Sequence, residues 1–170
     1  MLPSSPPFQV PGGMSLPVTT VELSVSCKNL RDMDVMSKSD PVCVLFVKNN
    51  NRWMEFARTE KITDSLSPSW LKKFVIDYKF EERQMLKFSV YDLDSSSAQL
   101  SHHDFLGEVE TSLAEIVSSQ SKGFSRKFNT PYTGSIQIIS EEVSSNKEEV
   151  TLTFNAINLD KKDFFGKFGL

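Results

Sequence analysis

This 170-residue chain carries no excess of basic charge: 19 Lys and Arg against 22 Asp and Glu leave a formal net charge of −3. That balance argues against a general nucleic-acid binder. Histidine is scarce, limited to His102 and His103, and cysteine is limited to Cys27 and Cys43. The two cysteines lie in or near expected strands and no Asn-x-Ser/Thr acceptor occurs, so free, buried thiols of a cytosolic protein are expected rather than a disulfide. No apolar run approaches the roughly 20 residues needed to span a bilayer. There is no phosphate-cradling glycine loop and no Gly-x-Ser-x-Gly elbow. Apart from the two histidines there is also no general base outside the acidic loops described below, so the chain is read as a non-enzyme.

What is present is a regular alternation of apolar and polar residues. Val21, Leu23, Val25 and Cys27 alternate with polar neighbours, and Val42 to Val47 form a continuous apolar run suited to a central strand. Asn49-Asn50-Asn51 reads as a turn leading into a hairpin partner over Trp53 to Thr59. Further strands are expected over Trp70 to Tyr78, Leu86 to Tyr91, Phe105 to Glu110, Phe124 to Phe128 and Ser135 to Glu141, with one short helix from Leu113 to Val117. About eight short strands with turn signals between them predict an all-β fold, an antiparallel Greek-key β-sandwich. Trp53 and Trp70 are expected to pack against the sheets or within the core. Ser135 to Glu141 either closes this sandwich, the reading favoured here, or begins a following domain. Residues 1–17, rich in Pro, Ser and Gly, read as a disordered leader, followed by a single domain over 18–145. From Val150 onward the pattern of strand, Asn-Leu and acidic loop repeats that of Val21 to Ser39, so residues 146–170 look like the start of a second copy of the module.

Five aspartates stand at loop ends in this pattern. Asp34 and Asp40 occupy the loop before Val42, Asp92 and Asp94 end the strand from Leu86, and Asp104 opens the next one. Carboxylates gathered at one corner repel each other and call for a cation. A hard divalent ion such as Ca²⁺ takes six to eight oxygen ligands in irregular geometry, which loops at one end of a sandwich can supply. A transition metal is disfavoured, since the loops hold no cysteine, and His102 and His103 are read as solvated loop residues. Apolar residues at the loop tips, Met33, Val35 and Met36 in one loop and Ala98 and Leu100 in the other, are candidates for membrane insertion, with packing against the sandwich end as the alternative. Lys72, Lys73, Lys79, Arg83 and Lys87 are candidates for a second site on a sheet face that binds anionic headgroups, against the plainer reading of a solvated strand face.

The set Asp34-x5-Asp40-Pro41, Tyr91-Asp92-Leu93-Asp94 and Asp104-Phe105-Leu106-Gly107 resembles the calcium-binding loops of C2 domains. Ser37-Lys38-Ser39-Asp40-Pro41, Phe80-Glu81-Glu82, Leu86-Lys87-Phe88, Leu113 through Ser119 and Asp160-Lys161-Lys162-Asp163-Phe164-Phe165-Gly166-Lys167 are similar to copines, cytosolic proteins that bind phospholipid in response to calcium. The resemblance covers about residues 18 to 167. It implies the first of two tandem C2 domains, with Ca²⁺ held by Asp34, Asp40, Asp92, Asp94 and Asp104. It further implies an anionic phospholipid membrane as partner, protein clients beside it, a monomeric state, and recruitment from the cytoplasm to the plasma membrane or other cytosolic faces, with a nuclear pool also open. A calcium-independent protein-interaction module is the alternative function.

Overall fold

The computed structural model describes residues 18–32, 37–93, 95–119, 122–129 and 131–143. Among the described residues eight strands run in chain order as β1 (Val18–Lys28), β2 (Pro41–Asn49), β3 (Arg52–Arg58), β4 (Phe74–Lys79), β5 (Met85–Asp92), β6 (Asp104–Ser112), β7 (Phe124–Lys127) and β8 (Ser135–Glu142), with one α-helix, α1 (Leu113–Ser118), between β6 and β7. They form two four-stranded antiparallel sheets, ordered β4-β1-β8-β7 and β3-β2-β5-β6. This is the sandwich that the alternation predicted. Residues 1–17 and 144–170, and with them the expected leader and second copy, lie outside the described residues.

The apolar member of each alternating pair faces inward. Leu23 and Val25 of β1, Cys43 and Leu45 of β2, Phe74 of β4, Leu86 and Phe88 of β5, Leu106 of β6, and Ile136 and Ile138 of β8 meet in one buried cluster. Both cysteines are free and buried there, as expected. β8 pairs along β1 from Val21–Glu142 to Lys28–Ser135 and also along β7, so it belongs to this sandwich. The β2–β3 hairpin turns through Asn50 and Asn51, both at positive φ, 46° and 61°. Asparagine tolerates that conformation, which matches the twist of the flanking strands. The helix starts with an N-cap: the Ser112 hydroxyl accepts from the Glu115 N–H at 3.2 Å.

One strand begins later than the sequence predicts. Trp70 belongs to the connection before β4, which starts at Phe74. The chain there touches β1 through a single bridge, Ser26 to Ser69, because the Trp70 ring is drawn into the core and its indole N–H donates to the Pro41 carbonyl at 3.2 Å. Trp53 takes the other sheet-packing role. It lies half-buried on β3 beneath the ammonium groups of Lys48 and Lys87, 5.5 and 5.3 Å from its ring centre.

Candidate metal and membrane site

Strand register brings the aspartates together. Pro41 pairs with Asp92 across β2 and β5, and Asp92 pairs with Asp104 across β5 and β6. The start of β2, the end of β5 and the start of β6 therefore sit side by side at one end of one sheet. Pro41 keeps Asp40 extended as the chain enters β2, and this sets the Asp40 N–H against the Asp92 carboxylate: it donates to Oδ1 at 2.6 Å. The Leu93 N–H returns a bond to the Asp40 carbonyl at 3.1 Å.

The two acids sit in different environments. Asp92 is 0% exposed, and among the described residues its Oδ2 has no hydrogen-bond partner. A buried carboxylate oxygen without a partner is costly, so this one calls for a partner beyond the described residues. Asp40 is half-buried and fully occupied: Oδ1 accepts the Asp64 N–H at 2.9 Å and Oδ2 accepts the Lys61 ammonium at 2.7 Å. Asp64, at φ 57°, in turn takes the Lys38 N–H on Oδ1 at 2.8 Å. Asp104 is exposed. Asp34 and Asp94 lie outside the described residues, and among those described no three acidic, histidine or cysteine side chains converge on a common point. Asp40, Asp92 and Asp104 thus share one sheet end by backbone register, while the Asp40 carboxylate is turned toward the β3–β4 loop.

The connection from β5 to β6 is held from two sides. The Arg58 guanidinium, in an ion pair with Glu55 at 2.6 Å, donates to the Ala98 carbonyl at 3.0 Å. His103 Nε2 lies 2.8 Å from the Ser97 carbonyl, and His102 Nδ1 lies 2.9 Å from the Ser97 hydroxyl. His102 is solvated as expected. His103 is not: it is buried, because a carbonyl of its own loop claims its ring. Ala98 is exposed and Leu100 half-buried within a short 3-10 turn, whereas Met33, Val35 and Met36 lie outside the described residues. Between the loops opens a cleft of about 790 Å³ lined by Ser37, Asp40, Lys61, Leu93 and Ser95 to Ser97.

The five basic candidates do not share a face, which corrects the expectation of a single sheet-face site. Lys73 bridges Glu22 and Glu141 at 2.9 Å each on the β4-β1-β8-β7 sheet, where those two carboxylates stand directly opposite one another. Lys79 pairs with Glu82 at 3.1 Å, and Lys72 is exposed just before β4. Lys87 lies on the other sheet, 3.6 Å from Glu108 and 5.0 Å from the Phe46 ring centre. Arg83 lines a hollow with Lys48, Asn50, Asn51 and Met85, at the end of that sheet away from the aspartates. The partners that divide these cations come from strands distant in sequence, and the run of basic residues does not reveal them.

Lys61 and Asp64 are the site residues that sequence reading missed. The signal available was topological: the β3–β4 connection leaves its sheet at the same end as the β1–β2 and β5–β6 connections. The Lys61 hydrogen bond, followed by the Asp64 N–H, holds the Asp40 carboxyl below its ordinary value of 3.8. A carboxyl whose pKa falls on folding adds stability that is fully present above its unfolded value and is lost as pH drops through the folded one. In chelator, the Asp40 contribution is therefore constant at neutral pH and declines below about pH 4. A carbon-13 titration of the Asp40 carboxyl should give a midpoint below that of a free aspartate, and Lys61→Met should raise it.

Residues 19–128 match the C2 domain family. Nicotinic receptor-associated protein 1 of Caenorhabditis elegans is 38% identical over an alignment covering 90% of this chain and 29% of the relative, so the chain spans under a third of that protein's length. The calcium-bound pair of C2 domains of extended synaptotagmin 2 shares the fold with a TM-score of 0.57 and 21% identity, over 73% of this chain and 45% of that one. A single C2 domain of plant extended synaptotagmin 1 gives a TM-score of 0.56 and 22% identity, over 75% and 98%. The family match spans β1 to β7 and includes the sheet end where Asp40, Asp92 and Asp104 stand, and the chain belongs to the C2 domain family.

Proposed function

We propose that this chain is a non-catalytic membrane-recruitment module that docks on anionic phospholipid in a calcium-dependent way, as the first C2 domain of a copine. The observation that carries the reading is Asp92: a fully buried carboxylate with one oxygen unpartnered among the described residues, set by register beside Asp40 and Asp104. An all-oxygen donor set without cysteine fits a hard cation. Asp40, Asp92 and Asp104, with Asp34 and Asp94 from the flanking loops, would hold it. Calcium bound there would supply the positive charge that lets anionic headgroups approach an otherwise acidic surface. Ala98, exposed on the β5–β6 connection, stands at the same end as an apolar contact, and the 90% of the chain aligned with the worm relative extends beyond the stretch 19–128. Among the described residues no helix is long and apolar enough to cross a membrane, and the reading is of peripheral attachment from the cytoplasmic side.

Co-sedimentation with vesicles tests this. Pelleting is expected only when phosphatidylserine and calcium are both present, with loss in chelator and with phosphatidylcholine alone. Equal pelleting in chelator, or none under any condition, would overturn it. A second reading, a calcium-independent protein-interaction module, draws support from the Lys61–Asp40 pair, which already neutralises one acid without a metal. The worm relative's name, which records association with a receptor, is in keeping with a protein client. An unchanged melting temperature at millimolar calcium would favour this reading, since a ligand selective for the folded state must stabilise it.

A further inference from the structure

We infer that Lys61 is an exchangeable internal counter-ion that sets the calcium concentration at which the acidic end loads. The inference rests on the calcium reading above. Its ammonium lies 2.7 Å from Asp40 Oδ2, and its side chain is 43% exposed against 24% for Asp40. A pair this open contributes little net stability and is readily exchanged. A lysine ammonium is a compact point charge on a flexible stem, so releasing it requires no backbone movement.

The surrounding bonds show that the ammonium is not what holds the loop. The β3–β4 connection is fastened to the entrance of β2 by backbone hydrogen bonds, Ile62 N–H to the Pro41 carbonyl at 3.1 Å and Ser65 N–H to the Ser39 carbonyl at 2.9 Å. Asp40 is positioned without the ammonium as well. Its Oδ1 takes the Asp64 N–H, and its own N–H is fixed on Asp92. Removing the lysine charge therefore leaves Asp40 in place with Oδ2 open to the cleft that Lys61 lines.

An ammonium and a divalent ion drawn to the same carboxylate oxygen repel each other at close range. The ammonium and a divalent ion each weaken the binding of the other, and the coupling is reciprocal. Lys61 thus does two opposite things: it relieves the acidic end in the resting protein and raises the calcium needed to load it. The second, independent sign of a cation position is the buried Oδ2 of Asp92, unpartnered among the described residues, on a carboxylate joined to Asp40 through Oδ1.

Calorimetric calcium titration of the 170-residue chain tests the assignment, with Lys61→Met, Lys61→Arg and Lys73→Met beside the wild type. Lys61→Met should bind calcium roughly two- to tenfold more tightly, the scale set by an exposed ion pair together with relief of like-charge repulsion. Lys61→Arg should stay within about twofold of wild type. Lys73→Met, which removes the same charge from the outer face of the other sheet, should also stay within about twofold. In melting experiments the loss caused by Lys61→Met in chelator should vanish at saturating calcium. Wild-type binding with equal or weaker binding by Lys61→Met, or equal tightening by Lys73→Met, would overturn the role of Lys61 and leave the calcium reading standing. A stability loss that persists in calcium would do the same. Flat traces for wild type and Lys61→Met would remove both. A flat wild type beside a binding Lys61→Met would support the counter-ion in its strongest form.

Discussion

Asp92→Asn is expected to abolish calcium-dependent vesicle binding while leaving the protein at least as stable in chelator. The asparagine side chain has nearly the same shape and keeps an oxygen to accept the Asp40 N–H, now bonded to Asp92 Oδ1 at 2.6 Å. It removes the charge from a position that is 0% exposed and whose other oxygen has no partner among the described residues. The resting protein loses the cost of a half-satisfied buried carboxylate, so its melting temperature in chelator should hold or rise, by about 2–4 °C for 1 kcal/mol in a domain of this size. Calcium affinity should fall on the order of a hundredfold, well inside the range over which ligand charge tunes such sites. A site residue kept at the expense of stability shows this pairing of lost binding and unharmed fold. Calorimetry and thermal melting on the same sample check it. Unchanged calcium affinity in Asp92→Asn would separate Asp92 from the metal. Asp92→Ala is a useful contrast, because it leaves the Asp40 N–H without its acceptor and should cost stability in chelator.

Gly107→Ala should produce the largest loss of stability. Gly107 closes the Asp104-Phe105-Leu106-Gly107 motif and sits at φ 148°, a backbone conformation that side chains rarely adopt. A Cβ there would lie 2.7 Å from Cγ of Phe128 and 2.8 Å from its Cδ2, inside the buried cluster. The β5–β6 register shifts at this point: Val90 pairs with Gly107, and Tyr91 then pairs with Phe105. An extra residue on one strand increases the local twist and re-aims the neighbouring side chains. At this sheet end the re-aimed stretch includes Asp104, brought opposite Asp92. The glycine thus serves both the packing of Phe128 and the placement of an acid. Strain and overpacking together should cost about 3 kcal/mol, roughly 6–12 °C in melting temperature. A shift of less than about 2 °C would mean that Phe128 and the strand adjust freely. Pairing Gly107→Ala with Phe128→Leu should recover part of the loss, because the smaller side chain makes room for the Cβ.

Local pattern made much of this fold legible. Alternation in β1, the apolar run of β2 and the Asn turn after it need no distant information, because strand period and left-handed tolerance are properties of neighbouring residues. The misplaced start of β4 is a local failure with a distant cause: Trp70 reads as a strand residue until the Pro41 carbonyl and the core claim its ring. His103 is similar, a polar loop residue that Ser97 holds under cover. The basic candidates are divided for the same reason on a larger scale. Lys73 and Lys87 lie close in sequence, yet opposite sheets and different acids divide them.

By itself the chain determined that it would fold as an antiparallel sandwich and that aspartates would stand at its strand ends, since residue period sets faces and proline sets the backbone before it. Only the tertiary structure decided which ends meet, and which oxygen of which acid is already taken. Register across β2, β5 and β6 placed Asp40, Asp92 and Asp104 in one row. The β3–β4 connection then put Lys61 on Asp40, with nothing in the local sequence around either residue to announce the pair. Charge acts through space, and the distances that govern it exist only once the sheets have closed.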